Sequence, residues 1–284
     1  FNNTAWGSTL AKTDVGVTTV SPRLLWQTRF DQVLYNLTVG ADWSHWSYDN
    51  DTAATGFLSA LDESGKQKNL AFYLRNDLHL AATGTRISLG GRRESVRQTQ
   101  HERLAPRDAS ERHSLSAYEL ALQQELGAGF SAYGRIGRSF RVANIDENRC
   151  WFAPCPALLK PQRSLDREIG ARWQGATASF GASLFEMDIS NEIHYFAPTF
   201  SNINLDPTRH RGVELEGRLQ LAAGVDLAAR YTHTQARFRD GVYGGVDVTG
   251  NDVPLVPKHR ASLNLGWQIL ATTRLGLNLT YTGE

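Results

Sequence analysis

Arginine and aromatic side chains recur together in the polar stretches of this sequence, and that combination is suited to binding rather than to catalysis. A guanidinium group binds carboxylate or phenolate oxygens and stacks on rings, so the pairing favours an anionic, aromatic chelate as ligand. The candidate ligand-binding residues are Trp46, Tyr48, Arg92, Arg93, Arg103, Trp151, Phe152, Tyr195, Phe196, Phe200, Arg209 and Tyr243. Any exposed loop of similar composition would look alike, so each could also be an ordinary loop residue.

Two cysteines, Cys150 and Cys155, are the only ones in the chain, and four residues separate them. A local disulfide would imply an oxidising compartment, and two free thiols are the alternative. A metal site is the weakest interpretation, because two cysteines without nearby histidine ligands cannot complete a tetrahedral shell. Histidines that could help to hold a metal chelate, or could simply be solvated loop residues, are His101, His113, His194 and His210.

No arrangement of Ser, His, Asp or Cys residues has the spacing of a catalytic triad or a nucleophile elbow, so an enzyme is not expected. The glycines fall at turns rather than in a phosphate-binding loop, and no cofactor is predicted. The net charge of +1 and the scattered Lys and Arg residues give no basic footprint for nucleic acid. No run of eighteen apolar residues exists, so the chain is either soluble or crosses a membrane as strands.

The elements that must carry these residues are strands in which apolar and polar side chains alternate. We interpret the sequence as twelve antiparallel strands in six hairpins, with opposite faces separated by parity. Tight turns are predicted at 30–34, 82–85, 126–129, 174–176, 222–225 and 269–273, and long polar loops near 47–69, 97–113, 141–165, 190–208 and 238–256. Short turns at one end and long loops at the other are typical of an outer-membrane β-barrel.

A soluble β-sandwich would also alternate, but its strands are shorter and fewer. Here the predicted strands run nine residues or more, which matches a tilted crossing of a bilayer. The polar face carries charges that would be costly in lipid and suit a wet or plugged lumen. These residues are Glu168, Arg172, Glu214, Glu216, Arg218 and Arg230. A lining of mutually paired charges with no partner is the alternative.

Two further features concern the membrane border. Aromatic residues flank both ends of the strands, at Phe130, Trp173 and Trp267 near short turns and at Trp43, Tyr118 and Tyr281 near long loops. They predict two interfacial girdles, although aromatic residues also favour strands in general. The apolar phase changes at Phe185, Met187 and Ile189, which predicts either a bulge or the membrane boundary there.

Over roughly residues 130–284 the chain resembles the TonB-dependent outer-membrane receptors. The segments that carry the resemblance, in order, are Tyr133–Arg141 with Ile145–Glu147, Leu159–Gly170, Leu184–Ile193, Asn204, Arg211–Glu216, Tyr231–Thr234 and Val253–Arg260. Each segment is weak alone, and their order and spacing make the match specific. Residues 20–130 agree in pattern but carry fewer motifs.

The resemblance implies a barrel of about twenty-two strands, of which this chain would supply about twelve. Because an open sheet cannot sit in lipid with unpaired edges, we expect residues 1–284 to be a partial barrel domain. No part of the chain resembles the family's N-terminal plug domain or energy-coupling box. The resemblance also implies that the inward charges contact and help to retain that plug.

The expected function is therefore active uptake of a scarce ligand, most often a ferric siderophore, across the Gram-negative outer membrane. The resemblance implies that the periplasmic TonB protein supplies energy through the plug and that the receptor is a monomer in outer-membrane lipid. Cobalamin, other cofactors and saccharides remain open as ligands. The rival interpretations are a passive porin whose twelve strands close on themselves and an adhesive or structural outer-membrane barrel.

Overall fold

The structure is a computed structural model, and it describes residues 2–4, 7–54, 60–104, 107–149, 157–222 and 224–284. Its strands are β1 (Asn2–Thr4), β2 (Gly7–Val20), β3 (Arg23–Phe30), β4 (Val33–Ala54), β5 (Leu61–Leu80), β6 (Thr85–Glu102), β7 (Arg107–Gly127), β8 (Phe130–Arg141), β9 (Gln162–Gln174), β10 (Ala178–Ser190), β11 (Ile193–Phe196), β12 (Ser201–Asn204), β13 (Thr208–Ala222), β14 (Val225–Phe238), β15 (Val242–Tyr243), β16 (Val246–Asp247), β17 (His259–Leu270) and β18 (Thr273–Gly283). A 3-10 helix, Ala197–Thr199, lies between β11 and β12. In these ranges no helix is long and apolar enough to cross a membrane.

The long strands form one antiparallel sheet in which neighbours in sequence are neighbours in space. Both β2 and β3 pair with β4, since Val20 lies opposite Trp43 and Arg23 lies opposite Gly40. They form a single line that is interrupted at Ser21 and Pro22, where proline has no amide to donate to the ladder. Counting that line once, the described residues form twelve crossing strands, as predicted. The small hairpins β11–β12 and β15–β16 lie outside this sheet.

All six predicted tight turns are present at one end of the sheet, after β3, β5, β7, β9, β13 and β17. In the turn after β7, three consecutive residues adopt positive φ angles: Gly127 (88°), Ala128 (49°) and Gly129 (82°). A Cβ atom on Gly129 would lie 2.2 Å from the carbonyl oxygen of Gln174. Glycine is therefore required there by both the backbone conformation and the neighbouring strand.

The two faces of the sheet differ as the parity of the sequence predicts. Large apolar side chains stay exposed on one face, here called the outward face, and they include Leu70, Phe72, Leu74, Leu120, Leu122, Ile169, Leu184, Leu215, Leu263, Leu277 and Leu279. Phe130, Trp173 and Phe180 add adjoining rings near the short turns, with centroids 5.9 to 6.2 Å apart. The opposite, inner face carries the charged residues of the same strands. An exposed band of this kind needs lipid to cover it.

The structure corrects two predicted loops. Most of the stretches 47–69 and 97–113 are not loops, because β4 runs to Ala54, β5 begins at Leu61, β6 runs to Glu102 and β7 begins at Arg107. These stretches are rich in Asn, Asp, Glu and Gln, so their composition hid strands whose backbone pairing continues without a break. The sheet, here also called the wall, therefore extends much further from the short-turn end over β4 to β7 than over β8 to β18.

The phase change in β10 is not a bulge, so the membrane boundary stays the prediction for this position. The ladder from Ala178 to Ile189 keeps its register with both neighbouring strands. Beyond Leu184, the outward face of β10 carries the acidic residues Glu186 and Asp188. The inner face there carries the apolar residues Phe185, Met187 and Ile189. Register shifts occur instead beside the short turns, at Glu125/Gly127, Gln220/Ala222 and Gln268/Leu270.

Candidate binding site on the inner face

Tyr133 and Glu168 form the centre of a polar cluster on the inner face of β8 and β9. Tyr133 lies opposite Gly170 in the ladder, and a Cβ atom on that glycine would lie 2.6 Å from the tyrosine ring. The ring can therefore cover the glycine, which places its hydroxyl 2.5 Å from the Glu168 carboxylate. Arg135 Nε donates to the other carboxylate oxygen at 2.7 Å. Two donors thus hold Glu168 in one orientation.

This cluster borders a depression of about 300 Å³ in the inner face. The predicted lumen-facing residues all lie on that face, and five of them line the depression: Glu168, Arg172, Glu214, Glu216 and Arg230. Arg218 follows one step nearer the short turns, opposite Ser179. The Arg172 guanidinium carbon lies 4.9 Å from the centre of the Tyr133 ring, a cation–π contact.

Satisfied and unsatisfied charges lie next to each other around this depression. Glu168 has an ion pair with Arg135, whereas Glu214, Glu216, Arg218 and Arg230 have no ion-pair partner among the described residues. Charges of both signs that are held on a rigid wall without local partners can bind another polar segment at little reorganisation cost. The geometry therefore suits contact with a polar protein segment that lies against the inner face.

A second cluster lies on the inner face near the loop ends of β4 and β5. The rings of Trp46 and Tyr48 stack with centroids 5.8 Å apart and an interplanar angle of 14°. Arg149 Nη2 donates to the Tyr48 hydroxyl at 3.3 Å and forms ion pairs with Glu63 and with Asp146, at 3.1 Å in the latter case. Two predicted binding residues thus form one aromatic surface, beside a guanidinium group that carboxylates already neutralise.

The segment after β8 folds onto this inner face instead of extending away from the sheet. Ala143, Ile145 and Leu158 are buried there, and Gln98 Nε2 donates to the Ala143 carbonyl at 2.7 Å. Gly65 makes room for this packing, because a Cβ atom on it would lie 2.3 Å from the Ile145 Cδ1 atom. The loop therefore narrows the space enclosed by the inner face.

Two asparagines fix the conformation of this loop, and a third ties it to the next loop. Asn144 Oδ1 accepts from the Glu147 amide at 2.8 Å, and Asn148 Oδ1 accepts from the Leu159 amide at 2.7 Å. Asn204, beyond β11, accepts from the Lys160 amide at 2.8 Å and donates back to the Lys160 carbonyl at 2.9 Å. Sequence reasoning assigned no role to Asn144 or Asn148; the signal was available in the preference of asparagine for loop hydrogen bonds.

The predicted arginines separate into different places. Arg92 is on the inner face, where it pairs with Asp42 at 2.5 Å and Glu94 at 2.8 Å. Arg93 is on the outward face, since it lies opposite the exposed Phe72, and Arg103 pairs with Asp62 and Asp49 at the tip after β6. Arg209 is also outward. It belongs to an ion-pair cluster, which consists of Arg167, Glu186, Asp188, Arg209 and Arg239.

The predicted aromatic loop residues have two different environments. Tyr195 and Phe200 are exposed on the hairpin β11–β12, and Phe196 is half-buried beside them. Tyr243 instead packs on Phe238 at 5.6 Å, and its hydroxyl accepts the Asp206 amide at 2.8 Å. Tyr243 therefore helps to build the small loop core of Leu205, Ala236, Phe238 and Val253. Trp151, Phe152, Cys150 and Cys155 lie outside the described residues.

The histidines do not form a metal site in the described ranges, where no three His, Cys, Asp or Glu side chains converge. His101 pairs with Asp108 at a loop tip, and His113 lies on the inner face beside Val96. His210 Nε2 lies 3.1 Å from Glu192 Oε2. Burial opposes ionisation of Glu192, but contacts with His210 and Thr208 outweigh it and lower the Glu192 pKa. Burial also lowers the pKa of His194.

Comparison with known proteins gives one family. Residues 1–284 match the family model described as "TonB dependent receptor-like, beta-barrel". A ferrioxamine receptor of Yersinia enterocolitica is 27% identical over 129 residues, which are 45% of this chain and 18% of that protein. A ferrioxamine B receptor of Salmonella typhimurium (strain LT2) is 24% identical over 221 residues, which are 76% of this chain and 30% of that protein.

Solved structures show the same fold. The unliganded ferric citrate transporter FecA superposes with a TM-score of 0.73 at 17% identity, over 99% of this chain and 43% of its own. The siderophore receptor PiuA from Acinetobacter baumannii superposes with a TM-score of 0.74 at 17% identity, over 96% of this chain and 46% of its own. The chain thus spans less than half the length of the solved chains and less than a third of the curated relatives.

Proposed function

Because the chain belongs to the TonB-dependent receptor-like β-barrel family of the Gram-negative outer membrane, we propose that its protein takes up a ferric siderophore in a TonB-energised step. The observation that carries this proposal is the family match over the whole chain, joined by two relatives named as ferrioxamine receptors. The ligand binds near the loops and is carried through without any chemical change. No residue of the wall needs a catalytic role.

The inner face supports contact with a plug domain. Glu214, Glu216, Arg218 and Arg230 offer charges of both signs with no ion-pair partner in the described part of the chain. A plug with complementary polar groups would be held by many weak contacts and could still be displaced by a pulling force. Glu216 and Arg230 lie opposite each other in the β13–β14 ladder without forming an ion pair, so both groups are available to a plug.

The loop-end inner face supports a chelate of low net charge. The aromatic surface of Trp46 and Tyr48 offers stacking area, whereas the guanidinium groups of Arg92 and Arg149 are engaged by Asp42, Glu94, Glu63 and Asp146. A polyanionic chelate would have to displace these carboxylates to reach the two guanidinium groups. A ferrioxamine-type chelate is therefore the first candidate, in agreement with the names of the two relatives.

The test is iron-limited growth of the natural host, with and without the intact gene, on ferrioxamine B or on a trianionic catecholate chelate. We expect the gene to support growth and uptake of labelled iron with ferrioxamine B. Uptake should cease when the TonB protein is deleted, while binding of the chelate to cells remains. Uptake that continues without TonB would support the porin alternative, and unchanged growth on every chelate would overturn the siderophore proposal.

A matched pair of tryptophans tests the position of the ligand. Trp46 lies on the inner face, and Trp43 lies three residues away on the outward face, where it is 41% exposed. Loss of one aromatic stacking partner costs about 1 kcal/mol, so Trp46→Ala should weaken binding roughly 5-fold to 10-fold. Trp43→Ala should leave the affinity unchanged. Equal losses in both variants would place the ligand elsewhere.

A further inference from the structure

Three cations lie side by side on the outward face of β5, β6 and β7. Lys68 lies opposite Arg97 in one ladder, and Arg97 lies opposite Arg112 in the next. We call Lys68, Arg97 and Arg112 the basic row. All three are exposed, and none has an ion-pair partner among the described residues. Like charges directly opposite each other destabilise a sheet, so the arrangement favours an anion between them.

The basic row lies at a defined height above the short turns. Each of its residues is twelve positions from the short-turn end of its ladder, counted from Leu80, Thr85 and Gln124. Twelve residues of a strand tilted by about 40° rise roughly 30 Å, and the apolar band of an outer-membrane barrel is about 25 Å tall. The row therefore lies just beyond the lipid tails, at the depth of the headgroups.

The side chains below the row agree with this height. Leu70 and Phe72 are exposed on the same face of β5, and Leu120 and Leu122 are exposed on the same face of β7. Arg93 lies opposite Phe72, at the upper edge of this apolar band, and donates to Ser116 at 2.6 Å. The outward face thus changes from apolar to cationic over a few residues.

Acidic groups do not neutralise the row from above. On this face of β5, β6 and β7, the carboxylates within the described ranges are Asp62 and Asp108, both at the loop tips. Asp62 is engaged by Arg103, and Asp108 is engaged by His101. The nearer of the two, Asp108, is four residues from Arg112, which is about 13 Å along the strand.

We propose that the basic row of Lys68, Arg97 and Arg112 binds phosphate groups in the headgroups of outer-leaflet lipids. Arginine binds phosphate oxygens through two parallel hydrogen bonds, and two of the three residues are arginines. The aligned cations would share the phosphates of one or two headgroups, while the apolar band below contacts the acyl chains. The surface therefore selects lipids around one sector of the wall.

The test measures the association of spin-labelled lipids with the full-length receptor in phosphatidylcholine bilayers. Spin-labelled phosphatidic acid should associate more strongly than spin-labelled phosphatidylcholine. Each cation near a membrane surface contributes about 1 kcal/mol, so Lys68→Gln, Arg97→Gln and Arg112→Gln should each lower that preference about fivefold. Free inorganic phosphate should not compete, because it lacks the acyl chains that hold the headgroup at this depth.

Two controls separate the basic row from charge in general. Arg97→Lys keeps the charge and should retain most of the preference. The combined change Arg237→Gln, Asp252→Asn and Lys258→Gln removes an exposed ion-paired cluster on another part of the wall and should leave the preference unchanged. An equal preference in the wild type and in the three single variants, or an equal loss in this control, would overturn the proposal.

Discussion

The outward face carries cations at the loop-side border in two sectors, and they are neutralised in only one of them. Over β9, β10 and β13, Asp188 accepts from Arg209 at 2.8 Å and lies 3.3 Å from Arg239, while Glu186 lies 2.9 Å from Arg167. Over β5, β6 and β7, the basic row has no acid beside it. The same residue types at the same border therefore form a closed cluster in one sector and an open anion site in the other. We call β9, β10 and β13 the paired sector and β5, β6 and β7 the unpaired sector.

Register alone produces this difference. Asp188 lies opposite Arg209 in one ladder and opposite Leu165 in the other, so its carboxylate is within reach of Arg167, two residues further along β9. In the other sector, the residues opposite Arg97 are both cationic. A shift of two residues in one strand would keep every side chain on its face but would exchange all of these partners. Because each sector depends on a few directly opposite residues, replacing one of them should change whether its cations are neutralised.

Replacing Asp188 with asparagine should have the largest effect, because it makes the paired sector resemble the unpaired one. The Asp188 side chain is only 17% exposed and faces three guanidinium groups, which would be left without their shared acid. Losing charge-assisted hydrogen bonds to a shared acid should lower the free energy of unfolding by about 2 to 3 kcal/mol, since the arginines stay partly solvated. Urea unfolding in phosphatidylcholine bilayers would measure it. Asp108→Asn is the matched control at an exposed tip, and a loss as large in that variant would contradict the explanation.

A glycine substitution sharpens the comparison between the two faces of the unpaired sector. Gly65→Val would push against Ile145 on the inner face, whereas Gly91→Val on the outward face meets nothing within 4 Å. Overpacking at Gly65 should weaken docking of the loop by about 2 kcal/mol, and Gly91→Val should have little effect on it. Limited proteolysis within residues 142–149 would report the difference. Equal protection of both variants would show that the loop does not depend on Gly65.

The faces of the sheet and the positions of its six short turns could be predicted from sequence, because a period of two and glycine-rich turns are local signals. Partners across strands could not, since pairing of Lys68 with Arg97 or of Asp188 with Arg209 depends on register. The height of β4 to β7 was also missed, because Asn50, Glu63, Gln98 and Gln100 look like loop residues although they are buried on a strand face. Inward docking of the loop depended on Gly65, which carries no signal by itself.

Acidification should loosen the loops of the paired sector before it affects its wall. Glu192 has a pKa below its ordinary value of 4.5, and His194 has a pKa below its ordinary value of 6.5. Both groups contribute stability that is present above the ordinary values and is lost as the pH falls through the lowered ones. We expect loop stability to fall as the pH decreases below 6.5, where His194 contributes, and to fall further below 4.5, where Glu192 contributes.

Hydrogen exchange at two backbone amides would measure that loss. The Leu205 amide donates to the Glu192 carbonyl at 2.8 Å, and the Ile193 amide donates to Gln162 at 3.1 Å. Their protection should decrease at low pH after correction for the intrinsic exchange rate. Glu192→Gln should remove the part of the pH dependence that lies below about 4.5. A decrease of the same size in that variant would exclude Glu192 as a cause.

The smallest effect is expected from relieving the repulsion in the basic row. In a zwitterionic detergent without anionic lipid, Arg97 lies between Lys68 and Arg112 with no anion to separate them. Arg97→Gln should therefore raise the free energy of unfolding by about 0.5 kcal/mol, the usual size of a cross-strand charge effect.

Arg138→Gln is the matched control, since Arg138 lies opposite Tyr118 and Leu165 and has no cation directly beside it. Because phosphatidic acid would place phosphate between the cations, its addition should reverse the sign for Arg97→Gln and leave Arg138→Gln unaffected. A stabilisation of Arg97→Gln that persists in phosphatidic acid would mean that no phosphate enters the row.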